Sequence, residues 1–192
     1  CPLAGRRETS GDGAAVSSFE QAIPVVLKHE GGYSNNKKDP GGATNYGISI
    51  RFLRAQGRFL DLDGDGDMDA ADMQLLTVDT AIEIYRDLIW EPNRYAQIAD
   101  QELATKVFDL AVNMGARQAN RLLQRSLRAC GVALKEDGIL GLVTFGAINK
   151  VPGFPQLVGL RATAAGYYRA LVAAKPDQYR DFLTGWLNRA YA

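Results

Sequence analysis

The chain lacks most of what several large functional classes require. No apolar run approaches the length that crosses a bilayer, so an integral helical membrane protein is not expected. Lys plus Arg and Asp plus Glu each total 22. There is thus no basic excess of the kind that carries nucleic-acid binding, and no long-range field to steer an anionic polymer. Histidine occurs once, at His29. Ser-His-Asp catalysis and His-based zinc chemistry lose their usual participants, and His29 reads as a hydrogen-bonding or packing residue at a helix end. The two cysteines, Cys1 and Cys130, make no disulfide framework. Cys130 reads as a small buried apolar residue closing a helix. Cys1 suits a residue left by signal removal, and a lipid-modified cysteine there would suit an envelope protein. Internal repeats are absent, and strand patterning is confined to one short segment.

What is present is enough for a real core: 192 residues, 46% of them hydrophobic. Residues 1–17 are small, polar and Gly-rich, which predicts a flexible leader. Phe19, Ile23, Val26 and Leu27 then recur at helical spacing until Gly31-Gly32 stops the helix, with Pro24 either starting or bending it. Residues 33–48 are crowded with Asn, Gly, Pro and Asp, which predicts tight turns or a short hairpin. Helical patterns follow over 49–58, from about Ala70 to Trp90 with a break near Thr77, and over Asp100–Met114. Others cover Ala116–Cys130, Thr144–Asn149, Phe154–Ala174 and Gln178–Ala190. The fold class is mainly α.

Glu30 leaves the apolar first helix beside the Gly pair, with Tyr33 placed to lie over it. A glycosidic acid needs partial burial to stay protonated and usually a second carboxylate to handle water. Asp39 and Thr44 follow in the turn-rich segment, as base and water-positioning residue. Spacing alone also fits a solvated glutamate at a helix end and an ordinary Asp-Pro-Gly-Gly turn.

A second segment, 61–72, reads Asp-Leu-Asp-Gly-Asp-Gly-Asp-Met-Asp-Ala-Ala-Asp. Asp61, Asp63 and Asp65 occupy positions 1, 3 and 5 of a calcium loop, Gly66 the sharp turn at 6, Asp67 the carbonyl position 7, and Asp72 position 12. Asp69 acts through water in that pattern. Position 12 departs from the EF-hand preference for Glu and follows dockerin loops. A solvated acidic loop explains it less well, because six neighbouring carboxylates repel. The expectation is a structural Ca²⁺ that joins two helices.

The stretch His29-Glu30-Gly31-Gly32-Tyr33, with Asn36 and Asp39-Pro40-Gly41-Gly42-Ala43-Thr44-Asn45-Tyr46-Gly47-Ile48, resembles glycoside hydrolase family 108. These are bacterial and phage N-acetylmuramidases. The likeness continues through Tyr85-x4-Trp90, Phe108-Asp109-x-Ala111-Val112-Asn113-x-Gly115, Asp137-Gly138-x2-Gly141-x2-Thr144 and Phe182-Leu183-x-Gly185-Trp186-Leu187-Asn188-Arg189. The resemblance implies a lysozyme-like helical domain with Glu30 essential. It implies a catalytic region over 18–105 and a helical peptidoglycan-binding region over 106–192, packed as one unit. By analogy with helical phage lysozymes, Asp39 and Thr44 complete a Glu, Asp, Thr set. Tyr33, Tyr46 and Asn113 are the expected glycan contacts, while Tyr168 and Trp186 read as core and Thr144 as a helix cap. The implied reaction is cleavage of the β-1,4 bond between N-acetylmuramic acid and N-acetylglucosamine, by a monomer needing no catalytic cofactor. The implied setting is the cell envelope or periplasm, or release by a phage. A lytic transglycosylase and a non-catalytic, calcium-dependent wall-binding adaptor are the alternatives.

Overall fold

The computed structural model describes residues 16–35 and 42–192. Ser18 opens the first helix, α1 (Phe19–His29), its hydroxyl accepting from the Gln21 N–H at 3.3 Å. The helix starts at Phe19 and runs through Pro24, which is exposed, so the carbonyl left without a helical donor costs little there. Its apolar face, with Phe19, Ala22, Ile23 and Val26, is buried. Glu30 is the C-cap in extended conformation.

Two short strands follow, β1 (Thr44–Asn45) and β2 (Ile48–Ser49), paired antiparallel with Thr44 opposite Ser49 and Asn45 opposite Ile48. The two-residue loop has Tyr46 at φ 48° and Gly47 at φ 75°. Positive φ at both positions is what a type I′ hairpin turn requires. Ser34 pairs with Thr44 through two 2.8 Å backbone hydrogen bonds, so the segment after Glu30 is stitched to the hairpin. The predicted hairpin is thus present, at its C-terminal end.

Helices α2 (Ile50–Ala55), α3 (Ala70–Leu75) and α4 (Val78–Tyr85) come next, with the acidic loop between the first two. The expected break falls at Leu76–Thr77, where the Thr77 hydroxyl caps α4. A π-helical turn, Arg86–Trp90, ends the stretch. Helix α5 (Gln101–Met114) is the central element and packs against α1, α6 (Ala116–Ala129) and α8 (Gly153–Ala174). Phe108 on α5 meets Trp90 edge-on at 5.3 Å, with Phe19, Tyr85 and Tyr95 around it. Truncating a fully buried Phe of this kind costs roughly 3–5 kcal/mol. Helix α7 (Leu142–Ile148) follows α6 in the chain and contacts it.

Three local expectations are corrected. The single helix expected over Gln178–Ala190 is instead a short α9 (Pro176–Tyr179), a 3-10 turn (Arg180–Phe182) and α10 (Leu183–Tyr191): Pro176 starts α9 early, and Tyr179, at φ -122° and ψ -7°, leaves the helical conformation and ends it. Cys130 is the C-cap of α6 and only half-buried, ahead of Gly131 at φ 88°. Thr144 sits buried inside α7, whose N-cap is Gly141.

Candidate active site

Glu30 leaves the end of α1 among side chains from elements far apart in sequence. Its side chain is only 11% exposed. One carboxylate oxygen, Oε1, accepts from Arg189 Nη2 at 2.8 Å. The other faces the hairpin turn. A Cβ built on Gly47 would stand 2.0 Å from Glu30 Oε2 and 2.7 Å from the Tyr85 hydroxyl. Gly47 is therefore glycine for two reasons, its left-handed φ and the carboxylate packed on it. Tyr85 is buried, and its hydroxyl donates to the Tyr46 carbonyl at 2.6 Å. Burial pushes the Tyr85 phenol far above its usual range, with the Glu30 charge adding and Arg189 opposing, so it stays a neutral donor.

Replacing Gly47 with alanine gives a test with an internal control. The left-handed backbone alone costs about 1–2 kcal/mol for a residue with a Cβ. Gly57 also has positive φ, 66°, but nothing lies within 4 Å of its Cβ position. Gly57→Ala is expected to lower the melting temperature and leave activity intact. Gly47→Ala is expected to lower both, with activity down at least tenfold, since even an ångström of misplacement can cost about 100-fold. Equal activity in the two variants, measured on purified peptidoglycan, would remove Gly47 from the site.

Arg189 comes from α10, 159 residues away from Glu30 in the chain. Its guanidinium is held mainly by Asp109 of α5, with Nε and Nη2 each 2.9 Å from Oδ1 and Nη2 3.2 Å from the backbone carbonyl. The other Asp109 oxygen lies 3.3 Å from Lys106 Nζ, and that amine also donates to the Arg189 carbonyl. The result is a buried chain of alternating charge: Lys106, Asp109, Arg189, Glu30. Burial works against both cations. In Lys106 it prevails and the pKa is lowered despite Asp109. In Arg189 the Asp109 and Glu30 charges more than offset burial, and the pKa is raised. The expected surroundings of Glu30 were apolar and aromatic; its nearest charged neighbour is instead a fixed guanidinium.

A cleft of about 320 Å³ opens beside this chain between α1, α5 and α8, lined in part by His29, Thr105, Lys106, Asp109 and Arg161. His29 itself is exposed at the end of α1.

The other expected site residues distribute as follows. Thr44 is half-buried in β1, its hydroxyl 3.4 Å from the Gly42 carbonyl. Tyr46 forms the turn beside Glu30. Tyr33 is partly exposed, and its hydroxyl accepts from Gln74 Nε2 at 3.1 Å. Asn113 is exposed at the end of α5, its Oδ1 accepting from the Tyr168 hydroxyl at 2.6 Å. Tyr168 is buried and stacks on Trp186, which also stacks with Phe182, so both read as packing. Asp39 lies outside the described residues. Arg189, Lys106, Asn45 and Tyr85 were not singled out as site residues from sequence.

The acidic loop folds on its own carboxylates. Asp61 accepts from the N–H groups of Gly64 at 2.7 Å and Gly66 at 3.1 Å. Carboxylate oxygens of Asp61, Asp63 and Asp65 lie within 4.8 Å of one another, as do those of Asp67, Asp69 and Asp72. Asp72 is buried and forms a capping box with Asp69 at the start of α3. The Asp69 and Leu62 N–H groups hold its pKa below the usual carboxylate range. Asp67 is pushed up, first by Asp65. In Asp63 the Asp65 N–H lowers the pKa, but desolvation with Asp65, Asp72 and Asp61 raises it overall. A cluster of hard oxygens under mutual repulsion suits a hard cation such as Ca²⁺.

Residues 23–115 match the family described as Glycosyl hydrolase 108, and residues 118–191 match the Predicted Peptidoglycan domain. The solved structure of Brucella abortus SagA shares this fold, with a TM-score of 0.67 and 24% identity over 90% of this chain and 93% of that one. No curated protein matches. Arg189 falls within the second matched region and Glu30 within the first, so the ion pair joins the two.

Proposed function

We propose, for a chain whose residues 23–115 belong to the glycosyl hydrolase 108 family, that it cleaves the β-1,4 bond between N-acetylmuramic acid and N-acetylglucosamine, with Glu30 as general acid. The coarser statement, a glycoside hydrolase acting on peptidoglycan, follows from the family. The role of Glu30 rests on a single observation: a nearly buried carboxylate, one oxygen held by a guanidinium and the other against a tight glycine turn. The choice of bond rests on the resemblance of the Glu30 segment to the family's muramidases.

In this reading Glu30 acts in its protonated form and not as the ion-paired carboxylate described above: it gives its proton to the glycosidic oxygen, the C1–O bond breaks, and water attacks C1. Asp39 takes the water proton, and Thr44 orients that water. Once the proton has left, Glu30 is an anion, and Arg189 is already in place to stabilise it. A donor fixed before reaction needs no reorganisation at the moment charge develops. Tyr33, Tyr46 and Asn113 contact the glycan. The enzyme works in the envelope or periplasm, or on release by a phage; among the described residues no helix is long and apolar enough to cross a membrane.

The experiment is turbidity loss of purified peptidoglycan. Lysis supports the reading. Binding without lysis would support the adaptor alternative, and anhydro product ends the transglycosylase.

Asp61, Asp63, Asp65, Asp67 and Asp72 would hold a structural Ca²⁺ and supply no step of the reaction. A ligand at 100 times its Kd stabilises the folded state by about 2.7 kcal/mol. At roughly 2–4 °C per kcal/mol for this chain length, chelation should lower the melting temperature by about 5–10 °C. Identical melting in excess Ca²⁺ and in chelator would refute the site.

A further inference from the structure

The turn that faces Glu30 is held from both sides by side chains with no part in proton transfer. On one side is Asn45, the residue before the turn. It is buried, and its amide donates to the carbonyls of Met73 at 2.8 Å and Leu76 at 3.4 Å. Leu76 is the C-cap of α3, and the last carbonyls of a helix have no partner within it. Asn45 supplies that partner, so α3 and the hairpin satisfy each other's polar groups. On the other side Tyr85, on the last turn of α4, donates to the Tyr46 carbonyl. Between these posts Tyr46 holds φ 48°, a conformation strained for a residue with a Cβ and kept only where its surroundings impose it.

The backbone of the turn lies against the carboxylate: a Cβ on Gly47 would stand 2.0 Å from Glu30 Oε2. A shift of the turn toward Glu30 therefore displaces the carboxylate, and a shift away removes one of its two supports and leaves Arg189 as the other. Helix α3 makes a second tie to the same region through Gln74 and Tyr33. It thus braces both the hairpin and the segment that follows Glu30.

We propose that Asn45 and Tyr85 are positioning residues, which set the orientation of the Glu30 carboxyl group by clamping the Tyr46–Gly47 turn between α3 and α4. The proposal rests on the reading of Glu30 as the acid.

Tyr85→Phe and Asn45→Ala are the test variants: Tyr85→Phe removes only the hydroxyl donor and keeps the ring, while Asn45→Ala removes the amide donor together with its volume, so Tyr85→Phe is the cleaner of the two. Two quantities are read on each. The first is deuterium exchange at the amides of residues 46–48, with those of α5 as the internal reference. The second is kcat and KM on soluble, uncross-linked glycan strands below the melting temperature. Faster exchange at the turn alone, with kcat down roughly ten- to hundred-fold and KM within about twofold, is expected. Unchanged exchange at the turn overturns the clamp whatever the kinetics. Faster exchange with unaltered kcat also overturns it and leaves a structural role only. Glu30→Gln in the same assay separates the two claims, because wild-type activity in that variant would defeat the acid assignment while the exchange data still judge the clamp.

Discussion

Glu30→Gln is expected to lose lytic activity by about 10²- to 10⁴-fold, the range a general acid contributes. Gln cannot deliver the proton, yet it has the volume of Glu and keeps an oxygen facing Arg189. The protein should therefore fold. The variant does remove one negative charge from a buried chain of two cations and two anions, leaving Lys106 and Arg189 to share Asp109. Losing the charged character of one buried hydrogen bond costs about 1–3 kcal/mol, so some drop in melting temperature accompanies the loss of activity. Full activity in a folded Glu30→Gln protein would refute the assignment.

Arg189→Met is expected to have the largest effect on stability. Arg189 and Asp109 are nearly inaccessible to solvent, and Glu30 is little more accessible. Removing the guanidinium strands the Glu30 carboxylate and leaves Asp109 with Lys106 as its charged partner. Removing one member of a buried pair costs roughly 3–5 kcal/mol, because the charge left behind is neither solvated nor paired. At about 2–4 °C per kcal/mol, the melting temperature should fall by roughly 6–20 °C. Arg189→Lys should fall in between, since an ammonium keeps the charge but not the planar fork that bonds Asp109 and Glu30 together. A melting temperature for Arg189→Met within about 2 °C of wild type would mean that the charge chain contributes far less than this geometry implies.

The parts of the fold legible in the sequence are those written in local spacing. The long apolar face of α5 ending before Gly115 and the leucine repeat of α6 each predict a helix within a residue or two of its ends, and the apolar pattern of α1 predicts its end at the Gly pair. The Tyr46–Gly47 hairpin is legible as turn chemistry. Pro24 misleads because its position on the exposed side of α1 decides whether the helix tolerates it, and spacing does not show that in advance. Gln178–Ala190 misleads because Pro176 initiates a separate short helix.

Of the candidate site, only Glu30 and the residues immediately around it were legible. Arg189 follows Leu187-Asn188 near the end of a helix, where a cation ordinarily serves the helix dipole in solvent. Its one signal is position: it falls on the same face of α10 as Trp186 and the buried Ala190, where an apolar residue would be routine. Lys106 carries the same signal, lying next to Val107 and Phe108 in the buried part of α5. Asn45 sits inside a recognised motif, but its function depends on α3, and no local pattern pairs position 45 with 73 and 76. Long-range polar pairings of this kind arise from tertiary packing.

The most direct measurement is the chemistry of the ends that the wild-type chain makes. Purified peptidoglycan digested in ¹⁸O-labelled water, with the soluble fragments analysed by mass spectrometry, should give reducing muramic acid ends carrying one heavy oxygen, formed at least about 100-fold more slowly in the Glu30→Gln digest. Anhydro-muramic ends, reducing glucosamine ends, or labelled muramic ends formed by Glu30→Gln at the wild-type rate would each contradict the account.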